Sequence, residues 1–166
     1  MPKGQTMKDN EERTVQFIML AEGFKITNDK NDHGGLTAAY GLTLITMRTL
    51  HLDLDHDGDV DADDVKLVNK EAVEKAFRTY FWDKIRGDKL PGGIDLILAD
   101  IAWNSGVGKV MQFIKEGFGD DIERLTARRI RFYEYQAANV PGQKDFLNGW
   151  KKRANDALRE ADKCFK

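Results

Sequence analysis

The segment GIDLILADIAWNSG, residues 93–106, is apolar on nearly every side when it is drawn as an α-helix. A helix of that kind is normally surrounded by other parts of the protein, whereas a surface helix keeps one polar face. Glycines at 106 and 108 break the pattern before the next helical segment. The segment therefore predicts a buried central helix that ends near Gly106.

Seven further segments have helical spacing of apolar residues or helix-terminal signals. They cover about residues 13–22, 44–50, 62 onward, 70–82, 109–118, 120–138 and 143–163. Asn69 is the expected N-cap of the fourth of these segments. Residues 23–43 instead alternate β-branched and aromatic residues with Asn, Asp and Gly, which predicts a small hairpin or irregular β-element. The expected fold class is α+β, predominantly α-helical, with a small N-terminal β element.

Composition places the chain among soluble globular proteins. Its 166 residues are 41% apolar and 33% charged, which is typical of a single domain. No apolar run approaches the roughly 20 residues of a membrane span, and the polar N-terminus lacks a signal-peptide core. The one cysteine, Cys164, excludes an internal disulfide framework. We therefore expect a monomer made in a cytoplasm, with no membrane span and no nucleic-acid partner.

Charge is unevenly distributed along the chain. Residues 1–123 carry 15 basic and 23 acidic side chains, a net charge of −8, whereas residues 124–166 carry 11 and 5, a net charge of +6. This asymmetry favours contact between the C-terminal region and an anionic polymer or outer surface. The alternative is a solvated basic helix face with no partner.

An acidic loop, DLDHDGDVDADD, occupies residues 53–64. Calcium takes six to eight oxygens, and a twelve-residue loop supplies them from positions 1, 3, 5, 7, 9 and 12. These positions fall on Asp53, Asp55, Asp57, Asp59, Asp61 and Asp64, with Asp59 expected to ligate through its main-chain carbonyl. Gly58 occupies position 6, where the chain must turn sharply. The spacing resembles an EF-hand loop, and the aspartate at position 12 resembles dockerin-type loops; the alternative is an acidic surface turn without an ion.

The loop occurs once, whereas calcium sensors generally carry paired loops, and the chain has no methionine-rich groove signature. We therefore expect Ca²⁺ to act as a structural cofactor that stabilises the fold.

A candidate catalytic group lies upstream, in MLAEGFKITNDKNDHGGLTAAYGLT, residues 19–43. Glu22 falls where an apolar helix ends, a setting in which a carboxylic acid can hold a proton for a leaving oxygen. Asp32 and Thr37 follow across the β-element and could hold or activate water on the opposite side of a sugar. On spacing alone, a structural glutamate at a helix end is the commoner interpretation.

The motifs around Glu22 favour a catalytic role over a structural one. Glu22-Gly23 followed by DHGGLTAAYGLT resembles glycoside hydrolase family 108, in which E-G-G-Y precedes D-x-G-G-x-T and G-[IV]-T. The resemblance implies a lysozyme-like fold, with Glu22 as the catalytic acid and Tyr40 and Asn104 binding substrate. It also implies cleavage of the β-1,4 bond between N-acetylmuramic acid and N-acetylglucosamine in peptidoglycan. Phe24 and Lys25 depart from the motif, standing where the family has its second glycine and its tyrosine.

The resemblance continues along most of the chain. Residues 71–114 are similar to the family's helix ending in Tyr-Trp and its D-x-x-x-N-x-G segment. Residues 124–166 resemble a peptidoglycan-binding region, with F-x-x-G-W-x-x-R ending at Arg153. The acidic loop stands where relatives carry a shorter connection. We therefore expect one catalytic domain, residues 1–166, that includes the calcium loop and a C-terminal wall-binding region.

The resulting hypothesis is a phage endolysin that acts on bacterial peptidoglycan. It is made in the host cytoplasm and reaches the periplasm through a holin-made hole. Two alternatives belong to other classes, a calcium-responsive binding protein and a non-catalytic wall-binding protein. A closer alternative is a bacterial muramidase that assists protein secretion.

Overall fold

The computed structural model describes residues 7–26, 28 and 36–165. Within these ranges the chain forms eight α-helices and no extended strand. The helices are α1 (Met7–Glu22), α2 (Leu44–Thr49), α3 (Ala62–Leu67), α4 (Lys70–Ala76), α5 (Ile94–Ser105), α6 (Val107–Lys115), α7 (Ile122–Asn139) and α8 (Leu147–Asp162). The prediction of a predominantly helical protein is confirmed. None of these helices combines the length and hydropathy needed to cross a membrane.

The chain divides into two compact units. One comprises residues 15–80, and the other comprises residues 1–14 together with 81–166.

The first unit, residues 15–80, contains the short helices. Thr43 caps α2 by accepting a hydrogen bond from the backbone N–H of Thr46, and Asn69 caps α4 through the N–H of Ala72 at 2.9 Å. The Asn69 cap was predicted from the sequence. Beyond α4 the helix widens into a π-helical turn, Phe77–Trp82, so the segment 70–82 is not one regular α-helix as expected.

The small β element expected in residues 23–43 is absent from the part of that segment that the structure describes. Thr37 and Thr43 form an isolated antiparallel bridge. Between them, a 3-10 turn at Ala39–Gly41 places Tyr40 and Gly41 in the left-handed region, with φ of 61° and 78°. The turn closes the chain on itself and α2 begins at once, so no second bridge follows within residues 36–43. Residues 27 and 29–35 lie outside the described ranges.

The second unit is built around α5. Nine consecutive residues of this helix, from Ile94 to Ala102, are buried, as the sequence predicted. Helix α5 contacts α6, α7 and α8, and α7 contacts α8. The helix end is closed by Gly106, whose N–H donates to the carbonyl of Ala102 at 2.8 Å. Trp82 is also buried here, and its indole N–H donates to Asp88 at 2.8 Å.

Candidate functional site

Glu22 is the last residue of α1, and its position follows from the way that helix ends. Helix α1 buries Val15, Ile18 and Met19. Gly23 then adopts φ of 72° and donates its N–H to the carbonyl of Met19 at 3.0 Å, the left-handed termination that glycine permits. The Glu22 side chain is consequently half-buried at the point where the chain leaves the helix.

The Glu22 carboxyl group lies directly against the backbone of Gly41. A Cβ atom at position 41 would stand 2.6 Å from Glu22 Cδ and 2.7 Å from Oε2. The turn is held in place because the N–H of Tyr40 donates to the carbonyl of Gly23 at 3.0 Å. The close approach and the φ of 78° both disfavour a side chain at position 41, since any Cβ would force the Glu22 carboxyl group to move. The segments Glu22-Gly23 and Tyr40-Gly41, separate in sequence, therefore lie in contact, with the Glu22 carboxyl group against Gly41.

Tyr40 and Phe24 form an aromatic pair in the same turn. Their ring centroids are 5.4 Å apart in an edge-to-face arrangement. Phe24 is 72% exposed, whereas Tyr40 is half-buried. Tyr40, predicted to bind substrate, thus lies beside the turn that contacts Glu22. Phe24, the departure from the family motif, supplies an exposed ring at that place.

The other two predicted catalytic residues have different outcomes. Thr37 is buried and bridges to Thr43, two residues beyond the Gly41 turn. Asp32 lies outside the described residues, so its role with water stays a prediction.

Asn104, the other predicted substrate-binding residue, belongs to the second compact unit. It lies in the last turn of α5, and its side chain is exposed. Its Oδ1 accepts hydrogen bonds from the Tyr133 hydroxyl at 2.8 Å and from Ser105 Oγ at 3.3 Å. Sequence reasoning placed Asn104 at the helix end but did not identify Tyr133 as its partner.

A buried charge cluster underlies Asn104. Asp100, one helical turn earlier, is fully buried and pairs with Arg129 Nη1 and Arg153 Nη2, both at 2.7 Å. Arg129 is buried as well, and its Nε donates to the Tyr133 oxygen at 2.7 Å. Burial alone would raise the pKa of Asp100, but the guanidinium groups of Arg153 and Arg129 outweigh it and hold that pKa below its usual range.

The sequence contained a signal for this cluster. An aspartate inside an otherwise apolar, buried helix requires a charged partner, because an unpaired buried carboxylate is strongly unfavourable. The signal indicated that Asp100 has a partner but could not identify Arg129, since the pairing depends on how α5 packs against α7.

The acidic loop, in the first unit, is held together by hydrogen bonds from its own backbone N–H groups to an aspartate side chain. Gly58 adopts φ of 103°, as the sharp turn at position 6 requires. Asp64 is buried and accepts hydrogen bonds from the N–H groups of Leu54 at 2.5 Å and Asp61 at 2.8 Å. Because its last residue bonds back to both Leu54 and Asp61, the loop closes into a compact turn.

The carboxylates of the loop form two clusters. Within each cluster, one carboxylate oxygen from each residue lies within 4.8 Å of the others: Asp53, Asp55 and Asp57 in one, and Asp59, Asp61 and Asp64 in the other. The Oδ1 atom of Asp53 is buried and has no donor among the described residues. A buried carboxylate oxygen without a partner is unfavourable, and a divalent cation bound here would supply that partner. The residues therefore fit Ca²⁺, a hard cation with oxygen ligands.

Mutual repulsion within the loop acts on its protonation. The neighbouring Asp57 charge, followed by desolvation, raises the pKa of Asp59. Desolvation and the Asp57 charge likewise raise the pKa of Asp55, against a hydrogen bond from the Asp57 backbone. In contrast, the backbone N–H of Asp61, with smaller contributions from Leu54 and Asp55, lowers the pKa of Asp64. A bound cation would relieve the repulsion that contributes, together with desolvation, to the raised pKa values of Asp59 and Asp55.

Comparisons with known proteins identify two similarities. The model of the family described as glycosyl hydrolase 108 matches residues 15–106 of the chain. A structure of SagA from Brucella abortus aligns with a TM-score of 0.76 at 22% sequence identity, covering 93% of this chain and 94% of SagA. At that identity the likeness establishes a common fold. A search of curated proteins returned no match.

Proposed function

Because the chain belongs to the glycosyl hydrolase 108 family and is therefore a glycoside hydrolase, we propose that it hydrolyses bacterial peptidoglycan. The bond cleaved is the β-1,4 linkage between N-acetylmuramic acid and N-acetylglucosamine, and the fold is lysozyme-like. The observation that carries the proposal is the Glu22 carboxyl group, half-buried at a helix end against the backbone of Gly41.

Glu22 acts as the general acid. It transfers its proton to the glycosidic oxygen as the bond from that oxygen to the anomeric carbon breaks, so the leaving sugar departs as an alcohol. Positive charge develops on the anomeric carbon, and Asp32 either stabilises that charge or orients the attacking water, with Thr37 holding the water. Water adds its oxygen to the anomeric carbon, and the proton that it loses passes to solvent, from which Glu22 regains a proton, so one water is consumed and the acid is restored.

Saccharide contacts come from Tyr40 and Asn104. The ring of Tyr40 and the exposed ring of Phe24 present apolar faces of the kind on which sugars stack. Residues 124–166, with a net charge of +6, would attract the anionic cell wall or outer surface. The protein acts as a monomer in this proposal.

The biological setting that we propose is lysis of a bacterial host by a phage. The protein accumulates in the host cytoplasm and is released to the periplasm and cell wall by a holin. A bacterial muramidase that assists protein secretion would cleave the same bond, so infection timing, and not the cleavage assay, separates these settings.

Calcium bound in the loop 53–64 stabilises the fold in this proposal, and chelation is expected to lower the melting temperature. At a free Ca²⁺ concentration about 100 times the dissociation constant, binding contributes roughly 2.7 kcal/mol. That is a large share of the about 5–15 kcal/mol that stabilises a domain. Differential scanning calorimetry with EGTA and then excess Ca²⁺ measures the effect.

The Asp53→Asn variant should lose this calcium response. Asp120→Asn, an exposed substitution outside the loop, should retain it. An identical melting curve with EGTA and with Ca²⁺ rejects the proposal.

Gly41→Ala is expected to reduce hydrolysis far more than it reduces stability. The new methyl group would displace the Glu22 carboxyl group, which stands 2.6 Å from the Cβ position. Misplacing a catalytic group by about 1 Å can reduce the rate on the order of 100-fold, while a left-handed alanine costs roughly 1–2 kcal/mol. Initial rates and melting temperatures measure the two effects.

Gly117→Ala is the matched control for Gly41→Ala. Gly117 has φ of 83° and no heavy atom within 4 Å of its Cβ position. It therefore imposes the same backbone strain without touching Glu22. Equal rate losses in the two variants would contradict the contact-based explanation.

The proposed hydrolase is tested by incubating the native protein with purified peptidoglycan and measuring turbidity and new reducing ends. Loss of turbidity with new reducing ends is expected. Sedimentation with peptidoglycan without new reducing ends would identify a non-catalytic wall-binding protein. Neither sedimentation nor cleavage, with a Ca²⁺-dependent partner, would identify a calcium-responsive binding protein.

A further inference from the structure

The hydrogen bonds around Tyr133 determine which end of the Asn104 amide faces outward. Arginine is solely a donor, so the bond from Arg129 Nε at 2.7 Å uses the Tyr133 oxygen as acceptor. The hydroxyl hydrogen of Tyr133 is then free to donate, and it points at Asn104 Oδ1 at 2.8 Å. The carbonyl oxygen of Asn104 therefore faces inward, and its NH₂ group is the outward end.

The outward NH₂ group of Asn104 takes no part in terminating helix α5. Helix α5 is closed by backbone alone, through the bond from Gly106 to Ala102. Among the described residues, the Asn104 side chain bonds through Oδ1, to Tyr133 and Ser105. A C-capping role, the ordinary explanation for an asparagine here, leaves this arrangement unexplained. The exposed Asn104 side chain thus carries two donor hydrogens, and the hydrogen bond from the buried Tyr133 hydroxyl sets its orientation.

The group that sets this orientation is rigid. Tyr133 is 1% exposed, and its ring packs on Trp150 and Phe132 at centroid distances of 5.2 and 5.6 Å. Arg129, which fixes the direction of the Tyr133 hydroxyl, is itself paired with the buried Asp100. The arrangement from Asp100 to Asn104 is a chain of buried contacts ending in one exposed amide.

We propose that Tyr133 is a positioning residue that fixes Asn104 as a hydrogen-bond donor to an acceptor oxygen of the bound saccharide. This inference rests on the proposed function and deepens it. It assigns a positioning role, exerted through Asn104, to Tyr133 of α7, which lies beyond the segment that matches the family model. An oriented donor favours acceptor oxygens such as an acetamido carbonyl and gains less from a ligand group that only donates.

Asn104→Asp tests the donor directly. The aspartate keeps the size of asparagine and still accepts from Tyr133, but it has no N–H to donate. We expect KM for soluble glycan strands to rise about tenfold, with kcat within a factor of two and the melting temperature retained, since a lost binding contact acts on KM. An unchanged KM in this variant overturns the proposal.

Tyr133→Phe tests the positioning role. Without the hydroxyl group the Asn104 amide can rotate, and KM is expected to rise about threefold to fivefold. Added to Asn104→Asp, the same substitution should raise KM no further, because the amide that it orients is already gone. Tyr135→Phe, two residues along α7 at a side chain that is 67% exposed, is the matched control and should leave KM unchanged. Independent, additive effects of Tyr133→Phe and Asn104→Asp would contradict the positioning role.

If Tyr133→Phe does not fold, the side-chain amide resonances of Asn104 decide the matter in the native protein. On titration with glycan strands, these ¹⁵N–¹H signals should shift with the saccharide concentration. Signals that stay fixed while saccharide binds overturn the inference. Failure of the native protein to cleave peptidoglycan is a separate result, which contradicts the proposed function itself.

Discussion

Glu22→Gln is expected to lose about 10²- to 10⁴-fold of the hydrolytic rate, the usual contribution of a general acid. The amide has nearly the same shape as the carboxyl group, so it can still lie against Gly41. It cannot, however, give a proton to the glycosidic oxygen. The initial rate of reducing-end formation on purified peptidoglycan measures the loss.

Glu12→Gln is the matched control, an exposed glutamate on the same helix. It should retain the native rate. The melting temperature of Glu22→Gln should stay close to that of the native protein, since the change introduces no buried charge. Equal rates for Glu22→Gln and the native protein would refute Glu22 as the acid, even if peptidoglycan is cleaved.

Asp100→Asn is expected to have the largest effect on stability. Asparagine at this position leaves Arg129 and Arg153 without the carboxylate that lies 2.7 Å from each. Removing one partner of a buried ion pair destabilises a protein by about 3–5 kcal/mol, because the remaining charge is uncompensated. Urea denaturation at neutral pH measures the change in the free energy of unfolding.

Asp156→Asn is the control for Asp100→Asn. Asp156 also pairs with two basic residues, Lys152 and Arg159, but within one solvent-exposed helix face. Exposed pairs contribute about 0–1 kcal/mol, so the control should change stability little. Similar losses in the two variants would contradict the importance of burial.

The pH dependence of the Asp100 contribution has a definite sign. The paired arginines lower the pKa of Asp100 in the folded protein, below the value of about 3.9 for an unfolded aspartate. Its ionic contribution is therefore fully present above about pH 4 and is lost as the pH falls through the lower, folded-state value. The stability difference between the native protein and Asp100→Asn should remain constant from pH 7 to about pH 5 and shrink only in stronger acid.

Helices and their ends could be predicted because their signals are local. Apolar spacing identified the buried helix 94–105, and Asn69 identified the start of α4. The end of α1 near Gly23 followed from glycine's left-handed conformation. These features depend on neighbours within a few residues, which the sequence displays directly.

The turn around Gly41 shows where local signals mislead. The β-branched and aromatic residues of segment 36–43 favoured a β-element. Tyr40 instead adopts a left-handed backbone conformation, which the residue type tyrosine does not predict. The hydrogen bond from the Tyr40 backbone N–H to the Gly23 carbonyl stabilises this conformation. That bond joins residues seventeen positions apart, so spacing alone could not reveal it.

The candidate site was predictable to the same limited extent. Motif order predicted Glu22 and Asn104 as site residues, and loop spacing predicted six aspartates as calcium ligands; these roles stay predictions. The contacts that position these side chains join residues far apart in sequence. Gly41 lies against the Glu22 carboxyl group, and the Tyr133 hydroxyl donates to Asn104. Such contacts arise from helix packing and chain reversal, which a single sequence does not specify.

Identification of the new chain ends by mass spectrometry tests the central claim most directly. Purified peptidoglycan is digested with the native protein, and the soluble products are reduced with borohydride and sequenced. Cleavage of the proposed bond predicts fragments that end in reduced N-acetylmuramic acid, formed by the native protein and not by Glu22→Gln. Fragments ending in reduced N-acetylglucosamine, or glycan strands left intact, would contradict the account.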